Sequence, residues 1–298
     1  MWESAVELAG VASSRDQFIV FSKRLFYSAG DLSGRDGLSG VADRLAELER
    51  GADVANRMFY FSIAPDFYET AIASLRDSGL ANSSNGWSRL VIEKPFGTDR
   101  ESAAKLDTNI HAVFPEKDVF QIDHYLGKET VQNLLVLRFA NSIFEPIWNR
   151  NYVKSVQITV AEEVDAASRA AYYDSSGVVR DMLQNHLLQI LTIIAMEPPS
   201  GVEPESIRDR KVDVLRAISA YSEADIAQNA VAGAYEGYRR HDGVSSSSRT
   251  PTYAAVKLQI DNCRWKGVPF YLRTGKALRN KVSEVVVEFE PPASFRVR

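Results

Sequence analysis

From Met58 onward, short apolar runs alternate with stretches whose apolar residues recur every three or four positions, the pattern of a parallel sheet covered by helices. Residues 58–63 read as a buried strand, Pro65-Asp66 as a turn, and residues 68–80 as a helix with Ala71, Ile72 and Leu75 on one face. A polar loop at 82–86 precedes a second strand, Leu90-Val91-Ile92, which ends in Glu93-Lys94-Pro95-Phe96-Gly97. Thr98, with Glu101 three residues later, has capping-box spacing for a helix carrying Ala103, Ala104, Leu106 and Ile110. A third strand at 119–122 runs into Asp123-His124-Tyr125-Leu126-Gly127-Lys128-Glu129, and residues 130–139 read as a helix.

The pattern then changes. Residues 156–160 alternate apolar and polar with period two, as a strand with one covered face does, and 285–289 do so less cleanly. This predicts a different kind of sheet and a second domain from about Tyr125. Between these strands a strongly apolar helix is expected from 176 to 196, stopped by Pro198-Pro199. Before Met58, residues 2–12 and 38–48 look helical, and 24–27 read as a strand leading to Ala29-Gly30-Asp31-Leu32. Gly30, Gly34, Gly37 and Gly40 lack the Gly-x-Gly-x-x-Gly spacing of a dinucleotide loop. Ser245 to Ser248 reads as a loop.

Composition narrows the function classes. The 298 residues carry 35 Lys plus Arg against 39 Asp plus Glu, a net charge of −4, with no basic field for nucleic acid. The longest apolar stretch, 187–196, contains Gln189 and Thr192 and falls far short of the ~20 residues of a membrane span. One cysteine, Cys263, forbids an internal disulfide, and four scattered histidines show no metal spacing. With no signal-peptide pattern at Met1, a cytoplasmic protein is expected.

Asp123-His124-Tyr125-Leu126-Gly127-Lys128 is the densest polar cluster, at a strand end, where open parallel sheets build their ligand crevice. His, Tyr and Lys so close together can donate to one phosphate, although a capped, solvated turn also accounts for them. Glu93-Lys94-Pro95 ends another strand. A cis proline there would fix the lysine over a site, whereas X-Pro statistics favour an ordinary trans turn. His186, in Asp181-Met182-Leu183-Gln184-Asn185-His186, needs a partner or a cleft inside so apolar a helix. A satisfied core histidine is the commoner outcome, and a carboxylate such as Asp123 would instead make it a general base. Lys276 and Lys281 lie in a basic stretch that is either a solvated loop or the cations of an anion site.

Four segments in order carry a resemblance: Ile92-Glu93-Lys94-Pro95-Phe96-Gly97; Ile122-Asp123-His124-Tyr125-Leu126-Gly127-Lys128-Glu129; Asp181-Met182-Leu183-Gln184-Asn185-His186; and Arg264-Trp265-Lys266-Gly267-Val268-Pro269-Phe270-Tyr271-Leu272-Arg273-Thr274-Gly275-Lys276. Together they resemble the glucose-6-phosphate dehydrogenase family. The resemblance implies an α/β plus α+β fold: a partial Rossmann-like coenzyme domain over 1–124, then a large, mostly antiparallel sheet packed with helices over 125–298. It implies oxidation of glucose 6-phosphate to 6-phosphogluconolactone with NADP, in a parent enzyme that is a homodimer. By the same resemblance His186 is the catalytic base and Asp123 orients it. His124, Tyr125 and Lys128, joined by Lys281, form the phosphate pocket, and Glu162, Asp181 and Lys276 hold sugar hydroxyls. Lys94 lies between substrate and coenzyme, with Pro65, Glu93 and Pro95 on the coenzyme side. The family's glycine fingerprint and closing strands have no counterpart, so an internal piece of a longer, poorly active enzyme is expected. The alternatives are a non-catalytic sugar-phosphate binding protein and a generic oxidoreductase of the inositol dehydrogenase type, whose pattern lacks the Asp-His-Tyr-Leu-Gly-Lys string.

Overall fold

A computed structural model describes residues 15–32, 37–83, 85–201 and 203–292. The chain divides into two compact units between Ile122 and Asp123, two residues ahead of the expected boundary.

In the first unit, helices α1 (Arg15–Ser22) and α2 (Ser39–Leu48) precede strand β1 (Arg57–Phe61), helix α3 (Tyr68–Asp77), β2 (Ser88–Glu93), α4 (Arg100–His111) and β3 (Val119–Ile122). The three strands form one parallel sheet in the order β1-β2-β3, with Phe59 opposite Leu90 and Leu90 opposite Val119. Parallel pairing buries both faces of the middle strand, so Leu90, Val91 and Ile92 are all buried. Ala71, Ile72 and Leu75 of α3 and Leu106 and Ile110 of α4 close the core over them.

Four local expectations need correction here. Residues 24–27 form no strand, and Leu25, Phe26 and Tyr27 are exposed, because no ladder partner takes up their backbone groups among the described residues. The cap of α4 is Asp99, one residue later than expected: its carboxylate accepts from Ser102 N–H, and Ser102 Oγ accepts from Asp99 N–H. Aspartate outranks threonine at an N-cap, which moves the box by one position. Ala104 faces solvent. The Lys94–Pro95 bond is cis. The expected helix at 2–12 and part of the glycine segment lie outside the described residues.

The second unit opens with α5 (Glu129–Phe139) and β4 (Val153–Ala161). It continues through α6 (Ala170–Val178), a π-wound segment (Val179–Leu187), α7 (Leu188–Ala195), α8 (Pro204–Ala217) and α9 (Glu223–Asn229). It ends with β5 (Ala230–Gly233), β6 (Tyr253–Gln259), β7 (Pro269–Gly275) and β8 (Val282–Phe289). The sheet order is β5-β6-β7-β4-β8, antiparallel except for the parallel pair β4–β7. Strand β4 is buried on nearly every residue rather than on one face. The long side chains of its neighbours cover the polar face: Arg273 Nε donates to Thr159 Oγ1 at 2.8 Å, and Ser155 Oγ donates to the Glu288 carboxylate at 3.0 Å.

The single helix expected over 176–196 is broken. Gly177 sits at φ 67°, ψ 166°, a conformation open essentially to glycine alone, and the chain resumes as a π-helix through His186. At the far end of α7 three side chains answer the carbonyls that a helix C-terminus leaves without partners. Arg138 Nη1 donates to Ile193 O at 2.8 Å and Met196 O at 2.9 Å, Trp148 Nε1 to Ile194 O at 2.8 Å, and Trp265 Nε1 to Ala195 O at 2.7 Å. The Arg264-Trp265 pair is thus structural: Trp265 is fully buried, and Arg264 binds the Glu145 carboxylate at 2.6 Å.

Candidate active site

Residues 123–128 form consecutive turns between β3 and α5, in which Leu126, Gly127 and Lys128 N–H donate to the carbonyls of Asp123, His124 and Tyr125. Asp123 Oδ1 accepts from Tyr125 N–H at 2.9 Å, an Asx turn that fixes the carboxylate. The same oxygen meets His186 Nδ1 at 2.6 Å. His186 is 1% exposed, and its Nε2 is buried with no partner among the described residues. The hydrogen bond assigns the proton to Nδ1 and leaves a lone pair on Nε2, aimed at no group among the described residues. Burial pushes the Asp123 carboxyl up. The hydrogen bond and charge of His186, with Tyr125 N–H and His124, outweigh burial and hold it below the usual carboxylate range.

Aromatic rings wall this pair. Tyr125 stacks on His186 with centroids 4.1 Å apart, and His124 meets it edge-on at 4.6 Å. Lys128 Nζ lies 3.2 Å from the Tyr125 ring centroid. Burial and the charge of Lys281 lower the Lys128 ammonium, while Glu162 and Asp123 pull the other way, so two cations and two carboxylates act on one another here. Burial drives the Tyr125 hydroxyl up, helped by Glu162, Asp123 and Asp181.

Glu162 and Lys276 meet because β4 and β7 run parallel with Ala161 opposite Gly275, and each residue is the first beyond that rung. Lys276 Nζ donates to Glu162 Oε2 at 2.6 Å and lies 5.3 Å from the Tyr173 ring centroid. Burial, then the charge of Asp181, raises the Tyr173 hydroxyl, placing Asp181 of the π segment within electrostatic reach of the same region. The second unit therefore gathers Asp123, His124, Tyr125, Lys128, Glu162, Asp181, His186 and Lys276, with exposed Lys281 within charge range.

In the first unit, Pro65 begins the 3-10 turn after β1, and Glu93, Lys94 and Pro95 lie at the end of β2, all at the carboxyl edge of the parallel sheet. The Tyr60 hydroxyl donates to the Glu93 carboxylate, and Tyr68 Oη donates to the Glu93 carbonyl at 3.0 Å. Open parallel sheets bind nucleotides at this edge, so these residues fit a nicotinamide coenzyme.

Two family profiles match the chain: glucose-6-phosphate dehydrogenase, NAD binding domain, over residues 3–133, and glucose-6-phosphate dehydrogenase, C-terminal domain, over residues 135–297. The chain belongs to the glucose-6-phosphate dehydrogenase family. It is 44% identical over 281 residues to glucose-6-phosphate 1-dehydrogenase of Aggregatibacter actinomycetemcomitans, covering 91% of this chain and 57% of the relative. With the Bacillus subtilis enzyme of the same name it shares 42% over 292 residues, covering 94% and 60%. A solved glucose-6-phosphate dehydrogenase in complex with its substrate glucose-6-phosphate superposes with a TM-score of 0.87 at 35% identity, covering 95% of this chain and 60% of that one. The Mycobacterium avium glucose-6-phosphate 1-dehydrogenase structure gives 0.86 at 36%, covering 98% and 62%. The chain thus spans about three fifths of the length of these relatives.

Glucose-6-phosphate dehydrogenases are oxidoreductases, and the NAD binding domain gives the family a nicotinamide coenzyme. No helix among the described residues is long and apolar enough to cross a membrane. Asp123, His124 and His186 each offer a donor atom within 4.8 Å of the others, a metal-like cluster that sequence spacing does not reveal. The Asp123–His186 contact of 2.6 Å is a hydrogen bond, shorter than the roughly 3.3 Å between two ligands of one tetrahedral ion, so the two side chains bond directly to each other. Sequence reasoning did not single out Tyr173, whose ring centroid lies 5.3 Å from Lys276 Nζ.

Proposed function

We propose that this chain carries the substrate-binding and proton-accepting groups of an NADP-dependent glucose 6-phosphate oxidation. The observation that carries the reading is the buried His186, held at Nδ1 by Asp123, with Nε2 free of partners among the described residues. A sugar hydroxyl placed at Nε2 loses its proton to the imidazole as C1 becomes a carbonyl, and the Asp123 carboxylate stabilises the resulting imidazolium. The chemistry that a bound nicotinamide supplies is acceptance of the hydride from C1. Pro65, Glu93, Lys94 and Pro95 hold that group's side of the reaction. Lys128, His124, Tyr125 and Lys281 take the phosphate, since Lys128 and Lys281 bring two positive charges together where the overall charge is negative. Glu162, Lys276 and Asp181 bind ring hydroxyls. Preference for NADP over NAD and a homodimeric parent rest on the family resemblance, and a cytoplasmic location on the sequence pattern.

The test is calorimetric titration with glucose 6-phosphate, glucose, NADP and NAD, together with nicotinamide reduction followed at 340 nm. The reading expects phosphate-dependent sugar binding and turnover that H186N abolishes. Equal affinity for glucose and glucose 6-phosphate, or full turnover in H186N, overturns it. Binding without turnover in the active relatives' assay conditions supports the sugar-phosphate binding alternative.

A further inference from the structure

Lys276 is held from three sides. Its backbone N–H donates to Thr252 O at 2.9 Å, its Nζ donates to Glu162 Oε2 at 2.6 Å, and the same ammonium lies over the Tyr173 ring, 5.3 Å from the centroid. That separation is within cation–π range. A lysine head is a compact charge on a flexible stem, so a single ion pair leaves it free to swing about the carboxylate oxygen. A ring face on a second side removes that freedom, provided the ring is itself fixed. Tyr173 is 2% exposed in α6, and the buried Tyr238 meets it edge-on with centroids 6.3 Å apart. Tyr238 is anchored in turn, since its Oη donates to Asp174 Oδ1 at 2.9 Å, while Thr250 Oγ1 donates to the Asp174 carbonyl at 2.7 Å.

The Tyr173 hydroxyl is buried and has no hydrogen-bond partner among the described residues, so its removal forfeits no bond there. Burial, with the charge of Asp181, keeps that hydroxyl protonated, and the ammonium therefore faces a neutral ring rather than a phenolate. We propose that Tyr173 is a positioning residue of Lys276, its ring face fixing the ammonium against Glu162 at the site that takes the sugar hydroxyls. It acts through Lys276 and through its ring alone. The bland alternative is a core tyrosine that fills space in α6. Such a residue would leave the Lys276 head where Glu162 holds it, whatever side chain replaced the ring.

The inference rests on the proposed function only for its effect on sugar affinity, because its first readout needs no sugar. In the full chain with isotope-labelled lysine, the NMR signal of the Lys276 ε-methylene protons is assigned by its loss in K276M. Protons over an aromatic face are shifted upfield. The expected signal is upfield in the parent, at the ordinary lysine position in Y173L, and upfield again in Y173F. Calorimetric titration with glucose 6-phosphate should show affinity weakened by about 3- to 10-fold in Y173L and restored in Y173F. Adding Y173L to K276M should cost nothing more, since the ring then has no ammonium to hold. A Lys276 signal at the ordinary lysine position in the folded parent overturns the proposal, even if Y173L does not fold. So does a loss in Y173L that is as large on the K276M background, or a Y173F that binds as weakly as Y173L. A parent chain that binds no glucose 6-phosphate overturns the proposed function instead, and the lysine signal still decides the role of Tyr173.

Discussion

His186 Nδ1 lies 2.6 Å from Asp123 Oδ1, although the two residues are 63 positions apart in the chain. The carboxylate fixes which imidazole nitrogen carries the proton, so D123N should leave the ring in place and present the wrong tautomer. Turnover should fall by roughly 10²- to 10⁴-fold with KM for the sugar phosphate changed only a few-fold. Steady-state kinetics check this, and a kcat within threefold of the parent would remove Asp123 from the mechanism.

The same pair makes stability depend on pH. The folded Asp123 carboxyl lies below its ordinary value because His186 outweighs burial. An acid depressed by folding stabilises the fold above its unfolded value, and that contribution disappears as pH falls through the folded value. Urea unfolding from pH 6 downward should show the parent losing stability below about pH 4, with a shallower loss in D123N. Parallel curves for the two proteins would show that the pair adds nothing to folding.

Lys128 has its ammonium over the Tyr125 ring with Lys281 within charge range. K128A should weaken glucose 6-phosphate by about 10- to 100-fold, the worth of a charge-assisted hydrogen bond to phosphate, and leave glucose nearly unchanged. Calorimetry with both sugars separates the outcomes, since an equal loss for each would place Lys128 away from the phosphate.

Gly177 holds φ 67°, ψ 166° where α6 gives way to the π segment, and a Cβ there would stand 3.2 Å from Thr250 Cγ2. G177A should cost about 1–3 kcal/mol in urea unfolding through backbone strain. Turnover should fall with it, because Asp181 and His186 ride on the segment that begins there. An unchanged unfolding midpoint would mean the chain tolerates another conformation at this point.

Arg138 is fully buried, with its guanidinium lowered to about 10, chiefly by burial. Its worth lies in the Ile193 and Met196 carbonyls, which R138M would leave without that donor. A destabilisation of about 2–4 kcal/mol is expected from the unfolding curve, against near neutrality if the packed arginine stem were all that mattered.

Local order is legible in this chain wherever one backbone hydrogen-bond pattern and one buried face coincide. The spacing of Ala71, Ile72 and Leu75 marks α3, and the apolar run Val119–Ile122 marks β3, because helix and strand periods are set by near neighbours. The strand-end clusters at Glu93 and Asp123 are visible for the same reason, as polar groups placed where an apolar run stops. Tertiary structure decided what those clusters face. Glu162 reaches Lys276, 114 positions away, only through the parallel register of β4 on β7. His186 meets Asp123 from the π-wound segment that begins two residues after the break at Gly177. Each of these contacts joins residues far apart in sequence through sheet register or helix rotation, and a one-residue slip in either would turn the side chain away while leaving the local hydrophobic pattern intact.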